Sequence, residues 1–339
     1  MLIYKYTQLH VGDKSKPVLL FYTTLVQLYA HEVELNGLTG PEQLSDVMMI
    51  DHVEMNPNIF FVTPTPMSSN GMRPFIPPNE WDLRHKVLTH GVDLSLVYKD
   101  FDKADERKKL RNKNGINDDD IVLLNVGALS GNKGVPVIIS ALNLLIKTPK
   151  YAKTKLLLKC VSLYLCEGQL TKYLEDLVKA GIREENDGDN LITNHILFMD
   201  STLTSENLNM LYNVADVYVS PYYQEGFNLP VLEAIAAGLP TIVTENGCTK
   251  VYVDEIKANV PNASKYIHTM TMQFEGNDQF EENMYSLLAI IKRQYSSFGK
   301  PMDKTYYEKM RAYIEDNLSW NKVSHLLYDH LSELVANWS

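Results

Sequence analysis

The stretch from Asp216 to Thr244 (DVYVSPYYQEGFNLPVLEAIAAGLPTIVT) constrains the fold of this chain more than any other. Val217 to Ser220 predicts a buried strand, Glu225 lies in the loop behind it, Pro230 to Ala237 predicts a short helix, and Thr241 to Val243 a second strand. Pro230 suits a first helical turn, where its missing N–H costs nothing, and Asn228 is the expected N-cap. Gly238 suits the left-handed position after a helix, and Pro240 prevents its continuation. Strand, loop and helix start in that order gather free backbone N–H groups and a partial positive charge at one point, which favours an anion such as a phosphate. Glu225 and Glu233 flank that point, the first in the loop and the second one turn into the helix.

Upstream, the periods of strand and helix alternate. Ile121–Val126, Lys155–Cys160, His195–Met199 and Val217–Val219 read as strands, and Val135–Ile146, Gln169–Ala180 and Ser205–Val214 as helices. Such alternation calls for an α/β fold with a mostly parallel sheet and helices on both faces. Ligands of such sheets bind beyond the carboxyl ends of the strands. A second loop there, Gly127 to Gly134 (GALSGNKG), combines glycines that permit close backbone approach with the point charge of Lys133 at a helix start. As a lone glycine-rich turn it is unremarkable; beside a second anion-ready helix end it points to phosphate binding.

The first hundred residues are less regular. Lys16–Phe21, Asn58–Thr63 and Lys86–Leu88 read as strands, with a helical stretch over Leu25–Glu34. Pro64, Pro66, Pro74, Pro77 and Pro78, with Asn70-Gly71, predict loop between the last two strands. Asp102–Asn114 (DKADERKKLRNKN) reads as a charged, solvated connecting helix with Asp105 and Glu106 set against the lysines; contact with acidic lipid headgroups is the alternative. Asn117–Asp120 reads as a polar turn. Near the C-terminus Ser319 is a natural N-cap for an amphipathic helix reaching about Ala336, whose apolar stripe is packing surface.

A net charge of −10 argues against a nucleic-acid partner, since phosphate neutralisation needs a basic face. Three cysteines (Cys160, Cys166, Cys248) lack metal spacing and read as reduced thiols in a cytoplasmic compartment. No signal peptide is read, and no apolar run approaches the roughly 20 residues that span a bilayer, so membrane contact is at most peripheral.

Glu225-Gly226-Phe227-Asn228-Leu229-Pro230-Val231-Leu232-Glu233-Ala234 resembles the E-x7-E signature of the retaining glycosyltransferases of family 4. The Gly127–Gly134 loop, Gly91-Val92-Asp93 and Ser319-Trp320 support that resemblance, which extends from about Val87 to the C-terminus. It implies a GT-B fold, two Rossmann-like domains facing a cleft. The expected division is a shortened N-terminal acceptor-side domain (1–103), a linker helix region (104–117), a nucleotide-sugar-binding domain (118–316) and a C-terminal helix (317–339) packing back on the first domain. The family's first domain normally begins well before the equivalent of Lys16–Thr24, which is why the N-terminal domain is read as incomplete.

The resemblance further implies a sugar moved from a nucleoside-diphosphate sugar, with GDP- and UDP-linked donors as the candidates, to a glycan, glycoconjugate or lipid acceptor, without a metal or other cofactor. Lys133 would bind the donor diphosphate and Glu233 the ribose hydroxyls. Glu225 would lie beside the transferred sugar, so Glu225 and Lys133 are the catalytic candidates. Gly127, Ala128, Gly226, Phe227, Asn228 and Leu229 would complete the donor pocket, with backbone N–H groups of the last three holding sugar and phosphate oxygens. Ala128 stands where many members carry an arginine, and Asn228 where they carry a glycine. Tyr22 occupies the strand end where members place a histidine, and with His31 it is an acceptor-side candidate. A nucleotide-sugar-binding subunit without turnover is the alternative, and an unrelated α/β protein with solvated carboxylates is a third reading.

Overall fold

The structure is a computed structural model that describes residues 19–22, 59–73, 76–99, 104–129, 131–160, 172, 175, 194–273 and 277–336. The chain divides into two compact units. Unit 1 holds Met1–Gly91, Glu225–Phe227 and Asp316–Ser339, and unit 2 holds Val92–Gln224 and Asn228–Glu315.

In unit 1, β1 (Leu19–Tyr22), β2 (Ile59–Thr63) and β3 (His85–Val87) form a parallel sheet in that order. Phe60, Phe61 and Val62 of β2 are buried, as a central parallel strand requires. The proline-rich stretch is not all loop. Pro66–Met72 is a helix, α1, because Pro66 occupies the first turn and the Thr65 hydroxyl accepts a hydrogen bond from the Ser68 N–H at 3.1 Å. A short turn of helix, α2 (Trp81–Arg84), then leads into β3.

Unit 2 opens with α3 (Ala104–Lys113) and continues through β4 (Ile121–Val126), α4 (Val135–Ile146), β5 (Thr154–Lys159), β6 (Ile196–Met199) and α5 (Ser205–Val214). After β7 (Val217–Ser220), α6 (Leu229–Ala236), β8 (Thr241–Thr244), α7 (Lys250–Asn259), β9 (Ile267–Met270) and α8 (Asn277–Gln294), it ends within α9 (Lys304–Leu318). The last helix, α10 (Trp320–Ala336), belongs to unit 1, and the Ser319 hydroxyl accepts from the Lys322 N–H at 3.2 Å. The sheet order β6-β5-β4-β7-β8-β9 is parallel throughout, the doubly wound Rossmann order. Val122, Leu123 and Leu124 of β4 and every residue of β7 and β8 are buried, so both faces of the sheet centre are covered. On one face α4 supplies Val135, Ile138, Ile139 and Leu142, and α8 packs behind it through Leu287 and Ile291.

Several expectations change. α3 is not simply a solvated connector. Arg111 is buried, and with Arg107 it closes on Asp216 at the head of β7, at 3.1 and 2.7 Å. Two long side chains reaching inward from a helix rich in lysine are invisible to a charge count. The cysteines are not all reduced thiols: Cys160 is disulfide-bonded, its partner lying outside the described residues, and Cys248 is a buried free thiol. Spacing along the chain does not show which sulfurs meet in space. The helices expected over 25–34 and 169–180 lie outside the described residues, apart from Lys172 and Glu175, which are helical. Among the described residues no helix is long and apolar enough to cross a membrane.

Candidate functional site

In unit 2 the strand order reverses between β4 and β7, and the loops that follow these two strands meet there. Behind β4, Gly127 has φ +151°, and a Cβ built on it would stand 3.6 Å from Lys133 Nζ, so the lysine lies over a backbone kept bare of side chain. Gly134, at φ +66°, precedes α4, and any Cβ there would strike the Pro221 carbonyl oxygen at 1.8 Å. That contact brings the β4 loop against the start of the β7 loop. Two hydrogen bonds hold them together: Tyr223 N–H to the Asn132 carbonyl, and Asn132 Nδ2 to the Gln224 carbonyl, both 2.8 Å. The starts of α4 and α6 therefore open on one end of the sheet, and each carries the partial positive charge of a helix N-terminus.

The cap of α6 differs from expectation. Asn228 is the N-cap residue, but its side chain makes no capping bond. It adopts a left-handed conformation (φ 63°, ψ 61°), its amide donates to Ser220 Oγ at 3.1 Å, and its carbonyl accepts from the Tyr252 hydroxyl at 3.0 Å. Asparagine is among the few residues besides glycine that tolerate this region. The side chain is thus turned back under the loop, leaving the first-turn N–H groups without a side-chain cap.

Glu233 lies one turn into α6, where the Tyr212 hydroxyl of α5 donates to its Oε2 at 2.7 Å. Burial raises the Glu233 pKa, and the Tyr212 hydrogen bond opposes that rise. The phenol itself is pushed well above its usual value by burial and by the neighbouring carboxylate, so it stays a donor. Nothing in the pattern of Ser205–Val214 singled out Tyr212 beyond its place on the apolar face.

Glu225, Gly226 and Phe227 are counted with unit 1. Glu225 is half-buried, and the Gly226 carbonyl accepts from Ser68 Oγ of α1 at 3.4 Å. Phe227 is buried and meets His90 edge to face at 5.0 Å between ring centroids; His90 in turn meets Trp320 at 5.8 Å. Burial lowers the His90 pKa, which favours the neutral imidazole. Gly91 passes so close to α10 that a Cβ would fall 2.4 Å from Trp320 N. Within unit 1, three separate sequence segments, His90-Gly91, Ser319-Trp320 and the loop at Phe227, thus converge. His90, Ser68 and Asn132 were not among the expected site residues; Asn132 stands inside the Gly127–Gly134 loop and His90 directly before Gly91-Val92-Asp93, which is the signal that could have found them.

The other expected residues are placed as follows. Ala128 is half-buried in the β4 loop, and Leu229 is the half-buried first residue of α6. Tyr22 is the last residue of β1, and His31 lies outside the described residues.

Residues 106–266 match the family Glycosyl transferases group 1. The chain is 30% identical over 168 residues to an uncharacterized glycosyltransferase of Methanocaldococcus jannaschii, a match spanning 48% of this chain but 36% of that protein. Among solved structures it resembles WaaG, a glycosyltransferase involved in lipopolysaccharide biosynthesis (TM-score 0.62, 20% identity, 96% of this chain and 79% of that one). It also resembles HepE of Anabaena, solved with UDP and glucose (TM-score 0.64, 14% identity, 98% and 75%). Residues 106–266 are therefore a glycosyl transferases group 1 domain, in a chain with the parallel α/β fold of GT-B glycosyltransferases.

Proposed function

We propose that the protein is a retaining glycosyltransferase that moves a sugar from a nucleoside-diphosphate sugar to an acceptor without a metal. The observation that carries this reading is the meeting of the β4 and β7 loops, with Lys133 over Gly127 and two helix starts opening on the same sheet end. Breaking the bond between the sugar carbon and the diphosphate oxygen develops negative charge on the leaving group. Fixed N–H donors and one ammonium stabilise that charge as it forms. Lys133 takes the diphosphate, and Glu233, oriented by Tyr212, accepts from the ribose hydroxyls. The N–H groups of Phe227, Asn228 and Leu229 hold sugar and phosphate oxygens. Glu225 orients the sugar and stabilises the cationic carbon. The new bond to the acceptor oxygen forms on the face the diphosphate leaves, and the acceptor's proton passes to the departing phosphate oxygen.

The Anabaena neighbour solved with UDP and glucose makes a UDP-sugar the first donor to try. Release of nucleoside diphosphate from UDP-, GDP- and ADP-sugars tests the reading. One donor class should be turned over, and Glu225→Gln should keep nucleotide binding while losing turnover. Equal turnover in that variant removes the role given to Glu225, and binding without any turnover makes the chain a donor-binding subunit.

A further inference from the structure

Unit 2 contains a cavity of about 540 Å³, within the size range of small-molecule sites. It lies at the sheet end opposite the β4 and β7 loops. Its wall residues Asp216, Pro240 and Tyr266 stand directly before β7, β8 and β9, whereas the phosphate-ready loops follow β4 and β7. A four-residue strand at about 3.3 Å per residue separates the two ends by roughly 13 Å.

The charges around this cavity do not balance. Lys99, Arg107, Lys265 and Lys300 line it, against Glu206 and Asp216. Asp216 is already shared between Arg107 and Arg111. Lys265 and Lys300 are exposed at the mouth. Lys99 is half-buried: its backbone N–H donates to the Tyr307 hydroxyl at 2.6 Å, and its ammonium has no salt-bridge partner among the described residues. Burial, reinforced by the Arg107 charge and opposed by Asp216, lowers its pKa to about 8. A cation withdrawn from water is costly; Asp216, engaged by Arg107 and Arg111, offsets only part of that cost, and a bound anion would offset more. The remaining wall is largely apolar, including Leu110, Met210, Leu239 and the ring of Tyr98.

We infer that this cavity is a second binding site, separate from the donor site, for a small organic anion with an apolar or aromatic body, its charge held by Lys99 and steered by Lys265 and Lys300. The inference does not depend on sugar transfer. Titration with anilinonaphthalene sulfonate, set beside its uncharged parent phenylnaphthylamine, tests it by fluorescence. The sulfonate should bind one site per chain at least about tenfold more tightly than the neutral compound, as a charge-assisted contact implies. Lys99→Met should remove that preference and leave the neutral dye unaffected. The exposed double variant Lys265→Ala/Lys300→Ala, which leaves the interior untouched, should weaken the sulfonate severalfold. Saturating UDP should displace neither dye. Equal affinity for both dyes, an unchanged Lys99→Met variant, or displacement by UDP each overturns the inference.

Discussion

Tyr212 and Glu233 form a pair whose pH behaviour follows from their setting. Burial raises the folded-state pKa of Glu233. A raised carboxyl pKa means that stability linked to this group is fully present below the unfolded value and is lost as pH rises through the folded one. The Tyr212 hydrogen bond limits that loss by stabilising the ionised form. Tyr212→Phe should therefore move the Glu233 pKa further up, as read by carboxyl carbon NMR. At neutral pH it should cost on the order of 1.5–3 kcal/mol, the range for a hydrogen bond to a charged group. That cost should shrink on acidification as Glu233 becomes neutral; a pH-independent cost shows that the hydroxyl serves packing alone. Lys133 is a simpler case, a single ammonium laid over a bare glycine. Lys133→Ala should weaken nucleoside-diphosphate binding by about 1.5–3 kcal/mol in calorimetry, and unchanged affinity removes the lysine from the donor site. At this scale Glu225, Glu233 and Lys133, the proposed site residues, stand out in the sequence because each sits in a motif with its own spacing. Tyr212 does not, because a buried tyrosine on a helix face looks the same in sequence whether it fills space or orients a carboxylate.

Among the elements, α3 and β7 show how a helix that reads as solvent-facing becomes part of the interior. Asp216 accepts from Arg107, from Arg111 and from the Val122 N–H of β4 at 2.8 Å, so one carboxylate ties a helix to two strands. Removing one partner of a buried ion pair leaves an uncompensated charge, at a cost of about 3–5 kcal/mol. Asp216→Ala should lower the urea midpoint accordingly. Adding Arg111→Met should recover part of the loss; if the double variant is less stable than the single one, Arg111 acts through packing instead. Element assignment from sequence succeeded where local rules agreed. Ile121–Val126, Val135–Ile146 and Ser205–Val214 stand as expected because an apolar run, or helical periodicity with a cap, marked each end. It failed at Pro66–Met72, where prolines that begin a helix resemble prolines that prevent one, and the Thr65 cap carried the only contrary signal. At Asn228 the cap position stands as expected, but the backbone takes a left-handed turn and the side chain makes no capping bond.

For the whole molecule, the tryptophans offer a way to locate a bound nucleotide. All three, at positions 81, 320 and 338, fall in the residues assigned to unit 1, whereas the six-stranded sheet and, among the described residues, most of the helices belong to unit 2. Tryptophan emission therefore follows unit 1, and far-UV dichroism is weighted towards unit 2. A ligand that binds only the folded state at about 100 times its Kd stabilises by about 2.7 kcal/mol. For a unit of this size, each kcal/mol raises Tm by roughly 2–4 °C, so a shift of about 5–10 °C is expected. A chain with two cores need not melt in one step, so both signals should be followed in the same sample. With the preferred nucleoside diphosphate the dichroism transition should rise by that amount, and Lys133→Ala should return it to the unliganded value at the same concentration. A shift confined to tryptophan emission would instead place the nucleotide on residues of unit 1. A full shift retained in Lys133→Ala would show that the nucleotide binds away from the loop that follows β4.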